Sequence, residues 1–578
     1  MKIILGLNAN HADSSACIFI DGKLIFAVEE ERINRVKHWA GLPLKSVNEC
    51  LKFTQLKPKD ITDIAINTSP LSNIDSKLIY FFKNYLFGKK KYEIAKRLTK
   101  KIELKKNLNK FFYPNTFSKK VNIHYIDHHI SHIASSFYPS GFKNAVGLSV
   151  DGFGDFCSIS IAKCEANDIN VVKKYLFPHS LGVFYEAFTQ FIGFKNYGDE
   201  YKMMGLSAYG KPKYFEKILN NVFIENKNLE LNLKYFNHTS KNYTYKFEGK
   251  PQQENLYNNK LEELIGINKL NINNITDIHK DIAASAQKIF ETKIFEICKE
   301  IKNLNFSENL VYAGGCALNS LANKKLHDSN LFRNIFIPYA PGDGGGCIGA
   351  ALYSIKKKGN NTKIYNLISP YLGPSYEDDE IKKIIDNYPN LKKFKIEFFH
   401  NKNELFIKIA KYIYENKIIG NFRGRMEFGA RALGNRSILA NPCNPNIKNI
   451  INKKIKRRES FRPFAPAVLI EKKSLWFENN KTNPYMSSVE NVKNEKYNDI
   501  PSVIHVDGTG RVQTVTKDLN EDFYLLIEKF YEISSVPILL NTSFNENEPI
   551  VMKPQDAISC FLRTEMDALV LNNFIISR

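Results

Sequence analysis

Three histidines fall within five positions of the stretch DHHISHIASSFYPSGF, Asp127 to Phe142, just ahead of small and apolar residues. If the run is helical, His128 and His132 stand one turn apart on one face, because 3.6 residues per turn stacks positions i and i+4. Two imidazoles so spaced suit a single metal ion. His129 points about 100° away, where it would orient such a site or face solvent. Surface or capping histidines at a helix start are the plain alternative for this window, and the choice falls to the rest of the chain.

The elements around the histidines alternate strand and helix. MKIILGLNA reads as a strand running into a polar turn, and SACIFIDGKLIFAVEEER as a hairpin around Asp21-Gly22. NAVGLSVDGFGDFCSISIAKC repeats the sequence of strand, Asp-Gly turn and second strand. Two hairpins with acidic and glycine residues at their strand ends, then helices and glycine loops, fit the duplicated α/β architecture of the actin, sugar-kinase and Hsp70 type. In such folds nucleotide lies in the cleft between the halves. NLVYAGGCALNSLANKKL and IFIPYAPGDGGGCIGAALYSIKK each read as strand, glycine loop and helix, a layout that lets backbone approach an anionic ligand.

Residues 366–378 carry prolines and a glycine and read as an interdomain linker between a first domain, 1–365, and a second, 379–578. The second domain's densest stretch, GNFRGRMEFGARALGNRSILANP, holds Arg423, Arg425, Arg431 and Arg436 around four glycines; Arg462 and Arg511 follow. Arginines beside Gly, Pro and Asn turns point to an oxyanion or phosphate pocket rather than a solvated charged face.

At 578 residues, with 43% hydrophobic and 25% charged side chains, the chain is long enough for two well-cored domains. The opening residues lack a cleavage-site pattern, and no apolar run reaches the roughly 18 residues of a membrane span, so a cytoplasmic location is expected. Nine scattered cysteines without a C-x-x-C pair speak for reduced thiols and against a thiolate zinc site. The net charge of +22 is diffuse, in a chain rich in Lys, Asn and Ile throughout, and names no nucleic-acid partner. It concentrates once: Lys77 to Lys120 holds 14 Lys or Arg against two Glu. That stretch reads as an amphipathic helical insertion, with binding of an anionic acceptor as the functional alternative.

HHISHIASSFYPS, SVDGFGD, YKMMGLSAYGKP, AGGCALNSLAN, APGDGGGCIGAA, GRMEFGARALGNRSILANP, FRPFAPAV and LNTSFN together resemble the O-carbamoyltransferases that modify nodulation factors, cephalosporins and tobramycin. The resemblance implies a first domain like the metal-dependent threonylcarbamoyl transferases of tRNA modification, joined to an α/β adenylate-forming, YrdC-like domain. It implies carbamoyl adenylate made from carbamoyl phosphate and ATP with Mg2+ in the second domain. The carbamoyl group then passes to a hydroxyl at an iron-type metal in the first; zinc and manganese share the ligand types of the His pair.

By the same resemblance Asp343 joins His128 and His132 as a metal ligand. Asp151 touches the metal-held carbamoyl adenylate or the metal, and Gly315 and Asn319 contact nucleotide. His11 would be the base on the acceptor hydroxyl, and Lys37 and His38 line the cleft, while Glu200 and Lys202 approach the acceptor. Arg431, Arg462, Arg511 and Asn541 match the positions for carbamoyl phosphate and ATP. Ala430 departs from the family's proline. The acceptor is expected to be a sugar, glycan precursor or secondary metabolite with a free hydroxyl, and a tRNA threonylcarbamoyladenosine-type enzyme is the alternative.

Overall fold

A computed structural model describes residues 1–85, 103–225, 229–240, 243–267, 270–272, 274–357 and 363–578. The chain forms two compact units, Met1–Ile368 and Ser369–Arg578.

The first unit holds two five-stranded sheets of one topology. The strands are β1 (Ile3–Asn8), β2 (Ser15–Ile20), β3 (Lys23–Glu29), β4 (Asp63–Ile66) and β5 (Asn122–Tyr125) in one sheet. The other has β6 (Asn144–Gly154), β7 (Cys157–Glu165), β8 (Asp168–Leu176), β9 (Asn309–Ala313) and β10 (Asn334–Phe336). The orders are β3-β2-β1-β4-β5 and β8-β7-β6-β9-β10. In each, the first three strands pair antiparallel and the last two continue in parallel. This is the duplicated α/β fold expected from the paired hairpins.

The first hairpin turns at Asp21 and Gly22, with φ of 46° and 83°, the two positive values that a two-residue I′ turn needs. The second does not turn at its Asp-Gly pair. β6 runs on to Gly154 and the chain reverses at Asp155 and Phe156, with φ of 48° and 71°. The β6–β7 ladder slips between Val150 and Gly154, and this irregularity takes Asp151 out of regular pairing, as bulges beside functional sites do.

Five helices of the first unit matter below: α1 (Ile74–Tyr85), α2 (His128–Ser140), α3 (Glu200–Ser207), α4 (Asp277–Asn303) and α5 (Gly346–Lys357). Ile133, Ala134 and Phe137 of α2 are buried with Ala162 and Val311 of the second sheet. Each large side chain so buried contributes about 1.5–3 kcal/mol. α2 and α5 cross closely because position 349 is glycine; a Cβ there would collide with the Ser131 carbonyl. Of the basic stretch 77–120, residues 86–102 lie outside the described residues.

The second unit carries an eight-stranded mixed sheet: β11 (Lys395–Phe398), β12 (Ile419–Phe422), β13 (Arg436–Ala440), β14 (Ala465–Leu469), β15 (Gln513–Val515), β16 (Ile538–Ser543), β17 (Ala568–Leu571) and β18 (Phe574–Ser577). Their order is β11-β18-β17-β12-β13-β16-β14-β15. The division between the units, after Ile368, falls within the stretch read as a linker, and residues on each side of it pack on their own unit. Asn366 Nδ2 donates to the Leu24 carbonyl in the first unit. In the second, Tyr371 bridges Glu427 and Leu372 is fully buried. Proline and glycine mark irregular backbone, and here that backbone offers carbonyls to arginines.

Candidate metal centre and anion pocket

α2 begins at Asp127, whose carboxylate accepts from the backbone N–H of His129 and Ile130 at 3.0 and 3.2 Å, a side-chain N-cap. From that start His128 and His132 face one another, with their Nε2 atoms 3.0 Å apart and no exposed surface on either residue. Asp151 Oδ2 lies 3.2 Å from the first and 3.0 Å from the second. Asp343 Oδ1, brought in ahead of α5, is 3.4 Å from both. Asp151 is aimed by its other oxygen, which accepts from the Gly152 N–H at 2.7 Å. The irregular end of β6 also leaves space for the imidazole: a Cβ on Gly154 would strike the His128 ring.

These spacings fit one cation. Ligand atoms about 2.1 Å from a common ion stand about 3.0 Å apart at right angles and about 3.4 Å apart at tetrahedral angles. All five distances fall in that interval. Asp343 Oδ1 is buried and meets the two imidazoles only at 3.4 Å, with no hydrogen bond of good geometry, an acceptor that a cation would satisfy. Burial opposes ionisation throughout. The two carboxylates nevertheless outweigh it to hold His128 well above the usual histidine range and His132 above it, and the imidazoles hold Asp151 well below the carboxylate range.

His129, unassigned from sequence, is a buried peg. Its Nδ1 lies 2.8 Å from Ser149 Oγ and its Nε2 2.9 Å from the Cys157 carbonyl. Burial and the neighbouring imidazoles lower its pKa to about 4.

His11 stands on the β1–β2 loop with its ring centroid 4.6 Å from that of His128. Asn8 braces the loop, donating to the Ala12 and Asp13 carbonyls at 2.9 and 2.8 Å. Gly315 leaves no room for a side chain beside Asp151, since its Cβ would come within 2.9 Å of Oδ1. Asn319 trades both amide ends with Gln287, at 2.9 and 3.0 Å, and caps a helix through Ala322 N–H.

Glu200 opens α3, and burial pushes its carboxyl up to about 7, with Asp199 and Asp13 adding and His38 opposing. Lys202 pairs with Asp199 at 2.9 Å and lies over the Phe194 ring. Lys37 is close enough to Glu31 to help keep that carboxyl low, behind Arg32 and His38.

Asp155, which sequence reasoning missed, ties three segments together. It accepts from Thr68 Oγ1 at 2.8 Å, Ser69 N–H at 2.7 Å and His128 N–H at 3.1 Å. Asp155→Ala strands those donors and is expected to cost roughly 3 kcal/mol, read by denaturant unfolding; a loss below 1 kcal/mol would show that the brace is dispensable.

A second cluster of possible ligands is formed by Asp13, Glu31 and His38. Its acceptors are already served: Glu31 takes Arg32 at 3.0 Å and His38 N–H at 2.8 Å, while Asp13 Oδ1 meets His38 Nδ1 at 2.8 Å. Burial lowers the His38 pKa, but Asp13, Glu31 and Glu200 raise it to about 9. Because that value lies above the reference 6.5, the pair's stabilisation is complete below pH 6.5 and lost as pH rises through about 9. Asp13→Asn is expected to bring the His38 midpoint, followed by NMR titration, down toward 6.5; an unmoved midpoint would assign the shift to Glu31 and Glu200.

In the second unit the arginines divide, against the reading that pooled them. Arg436 is fully buried 3.7 Å from the Phe422 ring centroid and donates to the carbonyls of Arg423, Asn435, Pro374 and Gly424. Arg423 pairs with Asp522 at 2.9 Å, and Arg425 donates to the Leu372 and Gly373 carbonyls. These three hold loops.

Arg431 and Arg511 behave differently. Burial pushes the Arg511 pKa well below the usual arginine value, and the charge of Arg431 adds to the depression. Two cations held within range of each other make an environment for an anion. Asn541 lies between their segments, donating to the Ala432 carbonyl at 3.3 Å and Gln513 Oε1 at 2.7 Å. Arg462 approaches Glu459 at 3.5 Å. Lys456, missed from sequence, is buried with its ammonium on the Ser543 carbonyl and on Asn545, whose Oδ1 is at 2.7 Å.

Residues 3–352 match the family model described as carbamoyltransferase N-terminus, and residues 410–578 the one described as carbamoyltransferase C-terminus. The chain belongs to the carbamoyltransferase family. It is a transferase. An uncharacterized protein of Synechocystis sp. is 36% identical to this carbamoyltransferase over 611 residues, covering 100% of this chain and 97% of the other. Nodulation protein NolNO of Sinorhizobium fredii is 33% identical over 576 residues, covering 98% and 79%. Among solved structures, component A of (R)-2-hydroxyglutaryl-CoA dehydratase from Acidaminococcus fermentans aligns at 14% identity and a TM-score of 0.34, over 62% of this chain and all of the other. Full-length HypF in its phosphate- and nucleotide-bound form aligns at 12% and 0.31, over 62% and 56%.

Proposed function

We propose that this carbamoyltransferase is an ATP-dependent O-carbamoyltransferase working in two steps. In the unit Ser369–Arg578, water would cleave carbamoyl phosphate to carbamate and phosphate, and the carbamate oxygen would attack the α-phosphorus of ATP to give carbamoyl adenylate as pyrophosphate leaves, with Arg431, Arg511 and Arg462 neutralising the phosphates and Asn541 setting the arginine loops. In the unit Met1–Ile368 the carbamoyl group would pass to a hydroxyl. The observation that carries the reading is the four-residue cluster His128, His132, Asp151 and Asp343, within a chain of this family.

Those four residues would hold a divalent metal; the donor set suits Fe(II) or a similar ion. Bound there, it would supply Lewis-acid polarisation of the carbamoyl carbonyl. The chain's own groups account for the rest. As the acceptor oxygen bonds to the carbamoyl carbon and the bond to the AMP oxygen breaks, His11 would take the hydroxyl proton. Gly315 keeps the wall beside Asp151 open, Lys37 would border the bound carbamoyl adenylate, and Glu200 and Lys202 would border the acceptor.

The acceptor class proposed is a sugar, glycan precursor or secondary metabolite with a free hydroxyl, in keeping with relatives named as nodulation proteins. Incubation with carbamoyl phosphate, ATP, Mg2+ and a panel of hydroxyl acceptors tests it. Pyrophosphate release that depends on carbamoyl phosphate, with product heavier by one carbamoyl group, is expected. Turnover with bicarbonate, threonine and tRNA in place of carbamoyl phosphate would overturn it.

A further inference from the structure

Ahead of Arg511 the chain makes a tight turn from His505 to Thr509. His505 N–H donates to the Thr509 carbonyl at 2.7 Å, and Gly508 N–H to the His505 carbonyl at 3.0 Å. Gly508 takes a φ of 79°, left-handed backbone that glycine adopts without strain. Thr509–Gly510 then pairs antiparallel with Glu490–Asn491. The turn brings three side chains into a relay. Thr509 Oγ1 donates to Asp507 Oδ1 at 2.7 Å and meets His505 Nδ1 at 3.1 Å. With the hydroxyl hydrogen spent on the carboxylate, Nδ1 is the donor of the second contact, which assigns the ring's lone pair to Nε2. Among the described residues, that buried Nε2 has no hydrogen-bond partner.

A histidine oriented through a hydroxyl and a carboxylate, with its far nitrogen open, has the layout of a proton acceptor. His129, the peg of the first unit, spends both nitrogens. The open one on His505 is a buried acceptor that a bound group would satisfy. The surroundings name the chemistry of that group. Burial lowers the His505 pKa to about 4; Asp507 opposes, and the charges of Arg511 and Lys448 add to the depression. The ring is therefore neutral near pH 7, with Nε2 free to accept. A phosphate dianion beside Arg511 would offset the two cations, so the basicity of Nε2 rises as the anion binds.

We propose that His505 is a catalytic residue of the first step, taking through Nε2 a proton from the water that cleaves carbamoyl phosphate. The assignment rests on the two-step reading above. The water oxygen bonds to the carbamoyl carbon as the bond from that carbon to the bridging oxygen breaks, and the electron pair leaves on phosphate, whose charge the arginines neutralise. Nε2 passes its proton to the departing phosphate. The products are hydrogen phosphate and carbamic acid, which ionises to carbamate for the attack on ATP.

Two reactions of the full chain isolate this role. Enzyme-dependent phosphate release from carbamoyl phosphate, with ATP present, needs the base; pyrophosphate release from ATP and added ammonium carbamate does not. His505→Gln keeps an acceptor that cannot take up the proton, and should slow the first reaction by about a hundredfold or more while the second stays near the parent's rate. Thr509→Val, which removes the middle hydroxyl of the relay, should show a smaller loss in the same direction. Unchanged phosphate release by His505→Gln overturns the proposal. Equal loss of both reactions in the two variants also overturns it, and makes the relay a structural brace of the pocket. A parent inactive in both reactions fails the two-step reading itself, and the proposal falls with it.

Discussion

His128→Ala and His132→Ala should each yield protein that no longer retains stoichiometric divalent metal and whose carbamoyl transfer falls by more than about a hundredfold. Losing an outer partner of a metal ligand already costs 10–100-fold, and these residues would be ligands themselves. Each substitution also strips Asp151 and Asp343 of an imidazole that they meet at 3.0 to 3.4 Å, leaving two buried carboxylates facing a smaller positive charge. Metal analysis and product formation read the first effect. Pyrophosphate release in the presence of carbamoyl phosphate is the control, because it is assigned to the other unit and should stay near the parent's rate. Equal loss of both activities in a folded variant would defeat the division of labour between the units.

What could be read from sequence was mostly what is local. The i, i+4 relation of His128 and His132 follows from helical period alone, and the Asp127 cap that starts the helix is one residue away. The hairpin at Asp21-Gly22 followed from turn chemistry for the same reason. The Asp-Gly pair at 151–152 misled because its turn propensity competed with distant contacts: Asp155 is claimed by Thr68, Ser69 and His128, and the chain reverses there. Asp343 reaches the histidines through the α2–α5 crossing that Gly349 permits, a contact no spacing rule supplies; only the family resemblance suggested it. His38 and Asp13 meet across two loops. The arginine-rich stretch was overread, because a guanidinium's donors suit a backbone carbonyl as well as a phosphate. Which of the two each arginine meets is decided by tertiary packing.

That difference among arginines sets up the second large effect. Arg511→Ala is expected to reduce carbamoyl-phosphate-dependent pyrophosphate release by about 10²–10³-fold, the scale of losing one preorganised charge-stabilising donor. Synthetic carbamoyl adenylate should restore product, since the metal cluster is untouched. The same variant should melt close to the parent, the relief of repulsion from Arg431 offsetting the contacts that the guanidinium gives up. Arg511 is a partly exposed cation whose pKa is depressed by desolvation and by the charge of Arg431, so removing it relieves the repulsion with Arg431. Arg436→Ala should do the reverse. It strands carbonyls that now share four hydrogen bonds and empties the space against Phe422, at about 3–5 kcal/mol, so activity is lost through unfolding and added adenylate restores nothing. An Arg511→Ala protein that melts well below the parent, or that adenylate fails to rescue while it remains folded, would move Arg511 from the anion pocket into the structural set with Arg423, Arg425 and Arg436.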